Sequence, residues 1–291
     1  MLPRRQIRIK VFQTLYSYAQ NSEESVEKIK QELKHNLTSY IVLYHIVIDS
    51  LILMQEIASE EIKIKLKKLA PSTEDLNPNK KFIKNKIILK IRSKKNKEID
   101  YSKLKRIIKK TFIEVKKSKH YIKYINNSID SYEVDKKIIT HILKKYLIPN
   151  EQVHDFLEEY SIYWNDDLII VFNSIIEKLN NEDNLRINQV FRNNEDQSFA
   201  NNLINNTLKN DNKLQSIIYK LVENWDIDRI ALSDLIVIKM AIAEHLYIQN
   251  IPYKVTLDEY IEISKQYSTP KSKEFVNGIL DVFIKDILHK K

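Results

Sequence analysis

Residues 234–288 read DLIVIKMAIAEHLYIQNIPYKVTLDEYIEISKQYSTPKSKEFVNGILDVFIKDIL, and their apolar side chains recur at intervals of three and four. That is the period of an amphipathic helix. Leu235, Ile238, Ile242 and Leu246 make one stripe that Pro252 stops, with Asp226 and Asp228 as cap candidates upstream. Thr256 and Glu259 have the spacing of a capping box for the next helix. Thr269 can cap a last helix whose first position is Pro270, where a missing N–H costs least. That helix buries Val276, Ile279, Leu280 and Phe283.

Outward from this block the same period fills most of the chain, and the fold class is all-α. Helices are expected at about 4–20, 23–36, 39–69, 80–95, 101–129, 133–147, 151–163, 166–180, 196–211, 213–224, 234–249, 257–267 and 271–288. Strands have little support outside an ambiguous run at Phe82 to Ile91. Breaks fall at Pro71 to Asn79, at Ile148 to Asn150 and in the Asn-rich linker Asn180 to Gln197.

Gly278 is the only glycine of 291 residues. A chain with one glycine has no Walker A loop, no G-x-G-x-x-G turn and no G-x-S-x-G elbow. Inside a helix that glycine costs about 0.8–1.0 kcal/mol relative to alanine, so something must need the missing Cβ. Close helix packing is the usual reason, and close approach of a ligand or partner backbone is the alternative. There is no cysteine, which removes disulfides and thiolate chemistry and fits a reducing cytoplasm.

The formal charge is +9, and the halves differ: residues 1–150 carry 33 Lys/Arg against 16 Asp/Glu. The segment 80–123 is the most basic, with 18 Lys/Arg against Glu98, Asp100 and Glu114. It reads either as a nucleic-acid-facing surface or as a solvated face. Its aromatics, Phe82, Tyr101, Phe112 and Tyr121, sit at apolar positions that suit a core as well as a stacking platform. The run from Leu37 to Gln55 is apolar, but His45, Asp49 and Ser50 interrupt it. It reads as a buried core helix rather than a membrane span.

The chain opens with Arg4-Arg5-Gln6-Ile7-Arg8 and Val11-Phe12-Gln13-Thr14-Leu15-Tyr16. Near its other end stand Ile251-Pro252-Tyr253-Lys254-Val255, Ile261-Glu262-Ile263-Ser264-Lys265 and Lys273-Glu274-Phe275-Val276-Asn277-Gly278-Ile279-Leu280-Asp281. In these blocks the chain resembles the NusB transcription antitermination family. The match covers about 1–20 and 196–291. It implies a NusB-like core from those two segments, with 21–195 as a long helical insertion containing the basic segment.

The resemblance implies an RNA-binding antitermination factor. It would act on a single-stranded, boxA-like leader of nascent ribosomal RNA, with a NusE-type small-subunit ribosomal protein and RNA polymerase. The residues that it assigns to RNA are Arg4, Arg5, Arg8, Gln13, Tyr16, Lys273, Phe275 and Asn277. Arginine grips phosphate in bidentate fashion, aromatic rings stack on unpaired bases, and amides meet base edges. Tyr16 and Phe275 read equally as core aromatics, and Asn277 as a helix cap or bridge. Close approach of the first and last helices is expected.

No enzyme, cofactor or metal site is expected. His45 and Asp49 at i,i+4 lack a third ligand of known spacing, and no nucleophile has a base and oxyanion donor. The other class of function open to this sequence is a helical protein–protein scaffold with a basic docking surface.

Overall fold

The computed structural model describes residues 1–20, 25–91, 96–161, 163–222 and 230–289. Among these there is no strand. The helices are α1 Arg4–Gln20, α2 Val26–Leu66, α3 Thr73–Leu76, α4 Lys86–Lys90, α5 Tyr101–Lys117, α6 Lys119–Ile125 and α7 Tyr132–Ile142. After them come α8 Glu151–Glu158, α9 Trp164–Asn180, α10 Asn194–Lys209, α11 Asp211–Leu221, α12 Leu232–Tyr247, α13 Tyr253–Tyr267 and α14 Ser272–His289. Asp226, Asp228, Lys94 and Lys95 lie outside the described residues.

Several boundaries differ from the sequence expectation. The break expected near residue 37 does not exist: α2 runs through it, because Leu33, Leu37, Tyr40 and also Asn36 and Ser39 are buried there. A helix over 80–95 is replaced by a 3-10 turn at Phe82–Lys84 and the short α4. Between them Asn85 is fully buried, and its Oδ1 accepts from Ile87 N at 3.0 Å and Ile88 N at 3.2 Å. Ser118 splits the expected 101–129 helix, its Oγ accepting from Tyr121 N at 3.1 Å to start α6. Before Pro149, α7 widens into a π turn at Leu143–Leu147, where Ile148 N reaches back to Leu143 O at 3.0 Å.

The chain forms two compact units, Met1–Thr38 with Val190–Lys291, and Ser39–Gln189. The first takes in residues 25–38 and 190–195 besides the two segments named above. Its centre is α12, which packs against α1, α10, α11, α13 and α14. Every residue from Ile236 to Glu244 is buried, Lys239 and Glu244 among them; a helix with apolar residues on nearly every side belongs in the interior. Leu246, placed in the stripe by sequence, is exposed instead. Around α12 lie Ile7, Val11, Phe12 and Leu15 of α1, Phe199 and Leu203 of α10, Tyr260 and Ile263 of α13, and Val276, Leu280 and Phe283 of α14. Each such side chain contributes about 1.5–3 kcal/mol by leaving water.

The second unit is built on the middle and end of α2 with α3 to α9. The 41-residue α2 contains a stretch long and apolar enough to cross a membrane, but 72% of that window is buried inside the protein. Leu43, Ile46, Ile48, Leu51, Leu53 and Met54 form its spine. Phe82 and Phe112 stack at 5.1 Å, and Tyr121 packs on both. Tyr101 donates to the buried Asp49 at 2.7 Å. Of the aromatics of the basic segment, Phe82 and Phe112 are thus committed to the interior, and Tyr101 and Tyr121 are half-buried. His45 Nε2 lies 3.1 Å from Ile187 O.

Candidate nucleic-acid interface

The first helix is more buried than an arginine-rich terminus suggests. From Ile7 to Leu15 every residue of α1 is buried, including Arg8, Lys10, Gln13 and Thr14. Arg4 and Arg5 lie in the turn before this stretch. Arg4 donates Nε to Asp196 Oδ1 at 2.8 Å and lies over the Phe199 ring at 5.4 Å. Arg5 is exposed and forks onto Glu259, with Nε at 2.8 Å from Oε2 and Nη2 at 2.9 Å from Oε1. The hydrogen bond to Glu259 raises the Arg5 pKa above its ordinary value, against a lowering by burial.

Arg8 is not at the surface. Its Nε and Nη2 grip Glu244 at 2.8 and 2.7 Å, its guanidinium lies 5.0 Å over Phe199, and it is 2% exposed. Glu244 also accepts from Thr256 Oγ1 at 2.8 Å and Tyr260 OH at 3.0 Å. Burial alone lowers an arginine pKa, but the Glu244 pair outweighs it and the Arg8 value is raised. Burial raises the Tyr260 phenol well above its usual value, and the Glu244 charge adds to this. The phenol therefore stays a donor.

This network overturns the capping box expected at Thr256 and Glu259. The helix starts at Tyr253 after Pro252, Thr256 faces Glu244, and Glu259 faces Arg5. The final helix also starts later than expected, at Ser272. Ser272 Oγ donates to Asp234 Oδ2 at 2.7 Å and contacts Ser268 at 2.8 Å and Thr269 at 2.9 Å. This cluster ties the α13–α14 turn to the start of α12. A run of Ser and Thr gave no sequence sign of it.

The other residues assigned to RNA divide between two places. Gln13 is buried, its Nε2 donating to Tyr267 OH at 3.2 Å. Tyr16 is half-buried, 5.9 Å from the Phe12 ring, which in turn lies 5.2 Å from Tyr267. On α14, Lys273 is exposed, Phe275 is half-buried, and Asn277 donates to Asp281 at 3.1 Å. The first and last helices do not pack side by side; both lie on α12. What joins their neighbourhoods is α13, which holds Arg5 through Glu259 and meets α14 through the hydrogen bond from Tyr253 OH to Leu280 O.

Gly278 is exposed, and a Cβ built on it meets nothing within 4 Å. Close packing within this chain is therefore not what the glycine serves. Beside Arg4, a groove of about 700 Å³ runs between α10 and the connection from α12 to α13.

In the second unit many basic side chains already face carboxylates: Lys105 meets Glu60 at 2.6 Å, Lys116 meets Glu61 at 2.7 Å and Lys86 meets Asp130 at 3.1 Å. Lys109, Lys110, Lys119 and Lys123 are exposed with no carboxylate partner among the described residues.

The NusB family model matches residues 151–285. A transcription antitermination protein NusB of Thermodesulfovibrio yellowstonii is 37% identical over 142 residues, covering 48% of this chain and 93% of the relative. Proteins of the same name from Chloroherpeton thalassium and Salinibacter ruber are 44% and 45% identical, over 30% and 31% of this chain and 44% and 56% of theirs. The solved NusB of T. maritima aligns over 52% of this chain and 90% of its own, at 27% identity and a TM-score of 0.31. With nearly the whole of one relative matched at this identity, the chain belongs to the NusB family.

Proposed function

We propose that this protein is an RNA-binding transcription antitermination factor, acting on a boxA-like single-stranded leader of nascent ribosomal RNA. It does so with a NusE-type small-subunit ribosomal protein and RNA polymerase. Its relatives carry the name of transcription antitermination proteins. The observation that carries the reading is the half-exposed pair Arg4 and Arg5, held by carboxylates at the N-terminal end of α1.

In this reading Arg4 and Arg5 contact phosphate, and Lys273, Phe275 and Asn277 form a second patch that includes the open backbone at Gly278. Tyr16 is half-exposed enough to take a base. Arg8 and Gln13 act from within, by fixing α1 against α12 and α13. The lysines of 80–123 that lack carboxylate partners add attraction to RNA without reading sequence. The test is filter binding of boxA-like and scrambled RNA, with and without the NusE-type protein. Preference for boxA-like RNA that grows with the partner is the expected result. Equal binding of both RNAs under both conditions would reject it.

A further inference from the structure

The groove beside Arg4 differs from the rest of the surface in its chemistry. The chain carries 48 lysines and arginines, yet the groove's lining includes no lysine, and Arg4 is its one cation. Glu195 is its one carboxylate, and neutral hydrogen-bonding side chains dominate: Asn194, Ser198 and Asn202 from α10 and Gln249 from the connection after α12. None of these four side chains makes a hydrogen bond among the described residues. Tyr247, Ile248 and Ile251, all half-buried, supply apolar surface; Phe199 lies at the floor, 3% exposed beneath the Arg4 and Arg8 guanidiniums. At Asn250 the backbone takes φ 70, in the left-handed region that asparagine tolerates better than most residues, and this turns the chain sharply around the groove's end.

A ligand matched to this lining has apolar faces, an edge of mixed donors and acceptors, and an anionic group near one guanidinium. Amide side chains carry both a donor and an acceptor, and such pairs read base edges. Unpaired bases are what proteins read in single-stranded RNA. We infer that this groove is a nucleotide subsite: it takes one unpaired base of the bound RNA, with the adjoining phosphate at Arg4. The Arg4 Nε is committed to Asp196 at 2.8 Å, and the exposed Glu195 lies 3.7 Å from Nη2, so an incoming phosphate meets the guanidinium by displacing Glu195. The inference rests on the RNA-binding reading above and adds a place where sequence is read.

The experiment uses the full chain and a fluorescein-labelled, single-stranded, boxA-like RNA in which each base in turn is replaced by an abasic site. Binding is followed by anisotropy for the wild type, for Asn202→Ala with Gln249→Ala, and for Arg5→Ala. Asn202 and Gln249 are exposed, so the double variant keeps the fold, which a thermal melt verifies. One abasic position should weaken the wild type about tenfold and leave the double amide variant no weaker than it already is. If no position behaves this way while Arg5→Ala still loses affinity, the subsite is wrong and the RNA reading stands. If the wild type does not bind the RNA, that reading fails and the subsite with it.

Discussion

Arg5 and Glu259 are 254 residues apart in sequence and are joined by two hydrogen bonds of 2.8 and 2.9 Å. The Arg5 side chain is 47% exposed and that of Glu259 is 19% exposed, so the pair lies where an incoming phosphate competes with the carboxylate. Glu259→Gln removes the competing charge and keeps the shape. RNA affinity at low salt should then rise about two- to fivefold, the scale of a surface ion pair. Anisotropy titration checks it. A fall in affinity would mean that Glu259 aims Arg5 rather than competing for it.

The Arg8–Glu244 pair answers to a different rule because it has no solvent to screen it. Removing one partner leaves an unmatched buried charge, and Arg8→Ala should cost about 3–5 kcal/mol of stability. Replacing both, as Arg8→Leu with Glu244→Leu, should recover part of that loss. Denaturant melts of the three proteins decide between this and an RNA role. If Arg8→Ala keeps its stability and loses RNA binding, Arg8 belongs to the contact surface after all.

The fates of these arginines show what the sequence could and could not reveal. Apolar period and proline breaks marked most helices, because those signals are local. Arg4, Arg5 and Arg8 look alike in sequence, and only their partners, all more than 190 residues away, separate them. One signal was present: Lys239 and Glu244 lie inside an otherwise apolar helix and must find partners of opposite charge. Lys239 finds Asp211 at 2.6 Å, and Glu244 finds Arg8. Thr256 and Glu259 fitted a capping box by spacing alone, but a buried carboxylate and an exposed guanidinium claimed them first. The continuity of α2 was hidden because the polar residues in its first third, Asn36 and Ser39, are buried.

Gly278→Ala separates backbone economy from function. An added Cβ meets nothing within 4 Å, so the helix gains and nothing is overpacked. Stability should rise by about 0.8–1.0 kcal/mol, read as a higher melting temperature. If the bare backbone is a contact for RNA or protein, binding of that partner falls in the same variant. A lower melting temperature would contradict the open space seen at this position.

Stability should also depend on pH through His141. Burial lowers its pKa below 6.5, with His120, stacked at 3.9 Å, and Lys145 adding to the effect. The folded protein thus keeps His141 neutral where the unfolded chain protonates it. The stability this gives is complete above the unfolded value of 6.5 and is lost as pH falls through the interval below it. Melting temperatures from pH 7 to pH 5 should fall, and His141→Gln should flatten that slope. An unchanged slope would clear His141.

The buried pair between α1 and α12 also has a bearing on biosynthesis. Arg8 leaves the ribosome 236 residues ahead of Glu244. At about 5–20 residues per second, the first helix waits on the order of ten seconds or more for the carboxylate that makes its burial affordable. Until then its guanidinium lacks its carboxylate, and of the helices its apolar stripe packs on, α10 is made first and α12 is still to come. The nascent chain is exposed to chaperones for that interval, and slow codons within 39–189 would lengthen it without altering any contact in the finished protein.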